Sequence, residues 1–169
     1  DLRVRDVLDV AAAELESSSL SPGAIASLHQ VLGTTWLGLG DGARSRAAFD
    51  AALAQKALPT ALRDELLLGR ARGAIVAGDY DTGEAGLAEL RARRGALPPA
   101  FRIALDESGA ELLRERGKQK EAVAALRALL PQARKVLGAD AQRTLGLQLQ
   151  LASALQLDGD YPAALEVAR

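Results

Sequence analysis

Gly38-Leu-Gly-Asp-Gly-Ala-Arg-Ser-Arg-Ala-Ala-Phe-Asp-Ala-Ala-Leu53 is the stretch whose reading decides the fold. The apolar run Val31-Leu-Gly-Thr-Thr-Trp-Leu37 leads into it, and an alanine-rich helical pattern leads out. Read as strand, Gly38-x-Gly40-x-x-Ala43 and helix, it imitates a dinucleotide-binding turn and belongs to an enzyme. Read as helix, Gly40-Asp41-Gly42 turn and helix, it is one unit of a helical repeat and belongs to a binding scaffold. The cofactor reading needs a second strand after the helix and an acidic residue about twenty positions on. Ala57-Leu-Pro-Thr-Ala-Leu62 offers no strand, and Asp64 lies inside a helical pattern. The helical reading is preferred, and a nucleotide-binding enzyme is kept as the remote alternative.

Composition points the same way. Of 169 residues 49% are hydrophobic and only 3% aromatic, with alanine and leucine carrying the apolar content. Alanine and unbranched side chains lose little entropy in a helix, so an all-α chain with a sizeable core is expected. Charge is balanced, 21 Lys+Arg against 22 Asp+Glu, which offers no field for nucleic acid or anionic lipid. Arg91-Ala-Arg93-Arg94, with Glu89 beside it, reads as a solvated helix face. There is no cysteine, so disulfides and thiol chemistry are out. The longest uncharged run, Ser17 to Gly40, contains Pro22, His29 and Gln30 and does not read as a membrane span. The chain opens at Asp1, holds no methionine and stops at Arg169 inside a helical pattern. A piece of a longer protein is expected, with its compartment, cytoplasmic or periplasmic, left open.

The periodicity predicts eight or nine helices. Leu2 to Glu16 carries one apolar stripe. Ser21 caps a second helix, with Pro22 in its first turn, running to about Leu39. Ala43 to about Lys56 follows. Thr60 caps a helix reaching Ala77, and Asp81 to Arg94 and Phe101 to Arg116 are further amphipathic segments. Lys118 to Leu130 is helical, Pro131 ends or kinks it, and Gln132 to Leu137 resumes before Gly138. Asp140 is the expected cap of the next helix. Leu145, Leu147, Leu149 and Leu151 alternate as in a strand, but Leu147, Leu151 and Leu155 at i, i+4, i+8 favour helix from Thr144 to Leu157. Pro162 opens the last helix.

Glycines 40, 78, 117 and 159 follow the first helix of each pair at intervals of 38, 39 and 42 residues (78−40, 117−78, 159−117). Near-regular spacing of this length marks stacked helical hairpins. Leu32, Gly33, Trp36, Gly40, Asp41, Ser45, Phe49 and Ala52 together resemble the tetratricopeptide repeat family. Ser45, Phe49, Ala52 and Leu53 share one helix face, and small Gly33, Ser45 and Ala52 permit close helix approach. Later units keep Gly78-Asp79-Tyr80 and Leu87, then Gly117, Ala122, Leu126 and Leu129, then Leu151, Ala152, Leu155, Gly159-Asp160-Tyr161 and Ala164. The second has Arg70-Ala71 where the family has Leu-Gly. Arg134 to Leu145 resembles the join of the longer, kinesin-light-chain type of repeat. Leu2 to Glu16 is similar to the helix that opens repeat arrays in large bacterial signalling proteins, among them membrane-anchored kinases and transcriptional activators.

The resemblance implies a right-handed α-solenoid: residues 1–20 a leading helix, 24–59, 60–99 and 100–138 three repeats, 139–169 a truncated fourth. It implies a non-enzymatic scaffold, without cofactor or metal, that binds a peptide or helix of a partner protein and serves as the interaction segment of a larger bacterial regulatory protein. A spacer or self-association segment is the alternative. The family's groove positions fall on Ser27, Gln30, Thr34, Leu37; Glu65, Leu68, Arg72, Ile75; Ala104, Glu107, Glu111, Arg114; and Gly146, Leu149, Ser153, Gln156. The lysine/asparagine carboxylate clamp of chaperone-binding relatives is absent, since Gln30, Thr34, Leu68 and Arg72 stand there. Other chemistry is thin. His29, the only histidine, reads as structural, Ser17–Ser19 and Ser21 as loop and cap, and Asp106, Glu107 and Glu111 beside Arg102 and Arg114 as i, i+4 surface pairs.

Overall fold

The computed structural model describes residues 4–16 and 18–168. Among these, nine α-helices and one 3-10 turn account for all regular structure: α1 (Val4–Glu16), α2 (Pro22–Gly38), α3 (Gly42–Leu53), α4 (Thr60–Val76), α5 (Tyr80–Ala92), the 3-10 turn Arg94–Ala96, α6 (Pro99–Glu115), α7 (Gln119–Leu137), α8 (Gln142–Leu157) and α9 (Tyr161–Val167). The chain is all-α. Leu2, at the expected start of the first helix, and Arg169 lie outside the described residues. The chain divides into two compact units, Asp1–Leu90 and Arg91–Arg169.

Four turns with one geometry organise the helices. The turns after α2, α4, α6 and α8 each have three residues: Leu39–Asp41, Ala77–Asp79, Arg116–Lys118 and Asp158–Asp160. In each, the middle glycine is left-handed, with φ of 72°, 80°, 73° and 85°. The next residue's N–H reaches back five positions, Asp41 to Trp36 O, Asp79 to Ala74 O, Lys118 to Leu113 O and Asp160 to Leu155 O, at 2.9 Å each time. This bond absorbs a helix-end carbonyl, and glycine is required because a Cβ in that conformation is strained. Asp41, Asp79 and Asp160 then accept from the N–H of Arg44, Thr82 and Ala163 at 3.1, 3.3 and 3.2 Å, tying down the next helix start. Lys118 holds the same position with no side-chain cap.

The packing positions recur with the turns. Five residues beyond each turn glycine stands a small buried residue, Ser45, Gly83, Ala122 or Ala164. Nine and twelve beyond stand Phe49 and Ala52, Leu87 and Leu90, Leu126 and Leu129, all buried. In the first unit, Phe49 lies between two glycines. A Cβ on Gly33 of α2 would stand 2.7 Å from its ring, and one on Gly69 of α4 would overlap it. Ser45 Oγ donates to Gly33 O at 2.8 Å, joining α3 to α2 inside the seam. At the turn, a Cβ on Gly42 would come to 2.5 Å of Gly73 O, so backbone of α3 rests on backbone of α4. Arg44 pairs with Asp41, reaches Asp9 of α1 through two nitrogens at 3.1 and 3.2 Å, and covers the Trp36 ring at 5.0 Å. The second unit has its own core, in which Ile103, Leu126, Leu130, Leu147, Leu151 and Leu155 of α6, α7 and α8 cluster.

Several expected boundaries shift for local reasons. Pro131 neither ends nor divides α7, which runs unbroken to Leu137. The proline is on the exposed side, while Leu126, Leu129, Leu130 and Ala133 hold the helix to the core from both sides of it. Thr60 is the first helical residue of α4 rather than its cap; Pro59 (φ −55°, ψ 142°) precedes it without a side-chain bond. Asp140 caps nothing, because Ala141 stands at the start of α8. The leucine alternation at 145–151 lies in helix.

Candidate binding surface

The groove candidates sit on α2, α4, α6 and α8, the first helix of each pair. In the first unit Gln30 Nε2 of α2 donates to Glu65 Oε2 of α4 at 2.8 Å, bringing two of the candidates together. Thr34 and Ser27 are exposed, and their hydroxyls donate to the carbonyls of Gln30 and Gly23 four residues back. Gln30 and Thr34 join Val31 and Thr35 around a shallow open hollow of ≈ 280 Å³. Leu37 is half-buried against the Phe49 cluster. Arg72 is half-buried and partnered. Leu68 and Ile75 are 7% and 1% exposed, so they lie in the interior and offer a ligand no surface.

The second unit repeats the bridge with its polarity reversed. Glu107 of α6 accepts from Gln150 Nε2 of α8 at 2.9 Å, and its other oxygen is 3.7 Å from Arg143 Nη1. Glu111 is half-buried and partnered, and Arg114 pairs with its neighbour Glu115 at 2.5 Å. Ala104 and Gly146 are half-buried, while Leu149, Ser153 and Gln156 are exposed along α8, Leu149 at 68%. Gln150 and Arg143 were not among the candidates. Their mutual spacing of seven residues, two helical turns, is the signal that places them on one stripe.

The remaining polar motifs take the following places where the structure describes them. The segment before Gly38-x-Gly40 is helix α2, so the strand required by a dinucleotide turn is missing. His29 is buried at 5% in α2. Ser21 Oγ caps α2, Ser18 Oγ donates to Leu15 O, and Ser17 lies outside the described residues. Asp106 does not pair with Arg102 along its helix. It takes a two-pronged bond of 2.6 Å and 2.6 Å from Arg94, which raises the guanidinium's pKa. Arg94 therefore leaves the expected basic helix face, and Arg91 lies over Gly109, where a Cβ would overlap its guanidinium. Among the described residues no group of three or more His, Asp or Glu side chains is placed to hold a metal ion. Nor is any helix there long and apolar enough to cross a membrane.

The electrostatic perturbations sit at the turns. Asp41 is held below the usual carboxylate range, chiefly by the Arg44 backbone N–H and then its guanidinium. Asp79 is lowered chiefly by the Thr82 hydroxyl and then its N–H. Both carboxylates stand at helix starts. No family model matches the chain, and no curated protein matches it significantly.

Proposed function

We propose that the chain is a right-handed solenoid of tetratricopeptide-like hairpins that binds a peptide or helix of a partner protein. The observation that carries this reading is the fourfold recurrence of one turn, with the same set of buried offsets behind three of the four. On this reading the groove face is presented by α2 and α4 in one unit and by α6 and α8 in the other, and Gln30, Thr34, Glu65, Arg72, Glu107, Glu111, Arg114, Ser153 and Gln156 belong to it, with Gln150 and Arg143 added. Amide–carboxylate bridges such as Gln30–Glu65 and Gln150–Glu107 support the reading, because each can exchange its internal bond for one to a peptide backbone. The role is that of a non-catalytic interaction segment within a larger regulatory protein.

Selection of peptides from a displayed library on the immobilised chain, followed by titration, tests the assignment. Glu65→Lys and Arg114→Glu, both at exposed positions, are expected to weaken selected peptides at least tenfold, about 1.4 kcal/mol or more. Peptides that bind both variants unchanged would remove this face from consideration. Thermal scans with millimolar NAD or ATP test the enzyme alternative, and an unshifted midpoint is the expected result.

A further inference from the structure

The chain's near-neutrality conceals a division. Asp1–Leu90 holds 13 Asp+Glu against 8 Lys+Arg, net −5, whereas Arg91–Arg169 holds 9 against 13, net +4, together the net −1 of the whole. Each unit also leaves an apolar stripe in water. On the acidic unit, Val7 and Val10 of α1 are 51% and 55% exposed at i, i+3. On the basic unit, Leu145 and Leu149 of α8 are 51% and 68% exposed at i, i+4. Exposed apolar side chains lining one helix face are the pattern of a surface that becomes covered.

We infer that the chain associates with a second copy of itself head to tail, the acidic unit of one copy docking on the basic unit of the next. The valine stripe of α1 and the leucine stripe of α8 form the apolar centre of the contact, and the opposite net charges select the pairing. Charge complementarity commits the occupant: like units repel, so valine stripe on valine stripe and leucine stripe on leucine stripe are both disfavoured. The contact is heterologous, which leaves one stripe of each kind free at the two ends of every chain of copies.

Sedimentation equilibrium of the full chain tests this across a concentration series in low salt and in about 1 M NaCl, where the Debye length shrinks to about 3 Å. Mass that rises with concentration in low salt and returns to the monomer in high salt is expected. The Val7→Gln/Val10→Gln double variant and the Leu145→Gln/Leu149→Gln double variant, all at exposed positions, should each stop at the monomer or lose association at least tenfold. Mixed together, the two variants should recover a 1:1 dimer, because one retains the leucine stripe and the other the valine stripe. Circular dichroism of each variant checks that helicity is kept. A monomer at every concentration in low salt overturns the inference. So does association that rises with salt, or that both variants retain. Self-association that only one of the two variants loses assigns the contact to like faces and overturns the head-to-tail arrangement, as does a mixture that stays monomeric while the wild type associates. Leu149 is also a groove position, so peptide binding is scored on the Val7→Gln/Val10→Gln variant, whose changes lie on α1 away from the groove positions, and either reading can fail alone.

Discussion

Phe49→Ala is the substitution whose outcome depends most directly on the packing described. The ring is 3% exposed and is walled by Gly33 on α2 and Gly69 on α4, with Ala26, Ala52 and Leu66 in the same cluster. Truncation removes the transfer free energy of a benzyl group and leaves a void. Glycine walls have no side chain to swing into it, so the cost falls at about 3–5 kcal/mol. At roughly 4 kcal/mol, and about 2–4 °C per kcal/mol for a chain of this size, the unfolding midpoint drops by about 8–16 °C. The sole tryptophan, Trp36, is 2% exposed on α2 and reports the first unit directly in urea titrations followed by fluorescence. Gly69→Ala supplies the cross-check. Its new methyl overlaps the ring and costs about 1–3 kcal/mol in the wild type, but fits the void left by Phe49→Ala. A loss below about 1 kcal/mol for Phe49→Ala, or strictly additive effects in the double variant, would refute the sandwich.

Further outcomes follow from the turns and the core. Lys118→Asp installs the cap found in the other three turns, with Glu121 three residues on, and should stabilise by about 0.5–1 kcal/mol in chemical denaturation despite losing the exposed Lys118–Glu121 pair. Asp41 and Asp79 have folded pKa values below their unfolded ones, so the unfolded chain binds more protons once the pH reaches about 4. Their contribution is complete above that window and is lost as the pH falls through it, seen as faster amide exchange at Arg44 and Thr82. Thr144 Oγ1 is buried without a hydrogen-bond partner, so Thr144→Val should be neutral or stabilise by up to about 1 kcal/mol in thermal melts.

Much of the architecture was legible because it is written in local chemistry. Ser21 and Pro22 mark the start of α2, and Gly-Asp pairs mark three of the four turns, since both act within a few residues of where they stand. The seam of the first hairpin was legible too: Leu32, Gly33, Trp36, Ser45, Phe49 and Ala52 are all buried. What stayed hidden depends on how helices are rotated and stacked. Gly69 reads as an isolated glycine until α4 is laid against Phe49. The partner of Asp106 is Arg94, which reaches it only because the chain leaves α5 and turns at Arg94–Ala96. Of the candidate groove, Gln30 and Glu65 proved to be neighbours, whereas Leu68 and Ile75 went inside. Apolar residues at a helix face carry no mark that tells groove from core.

The constancy of the turns has a practical corollary for anyone wishing to add to this chain. Between the two helices of every pair the link has three residues, and in the first unit Gly42 rests there on the backbone of α4. An extra residue at that point would lift one hairpin off the next. The spacing of the turn glycines nevertheless varies, so the difference is taken up at the opposite ends of the helices. Segments 54–59 and 138–141 are therefore the ports at which a fluorescent tag or an affinity loop can be spliced, with the helical register kept on both sides.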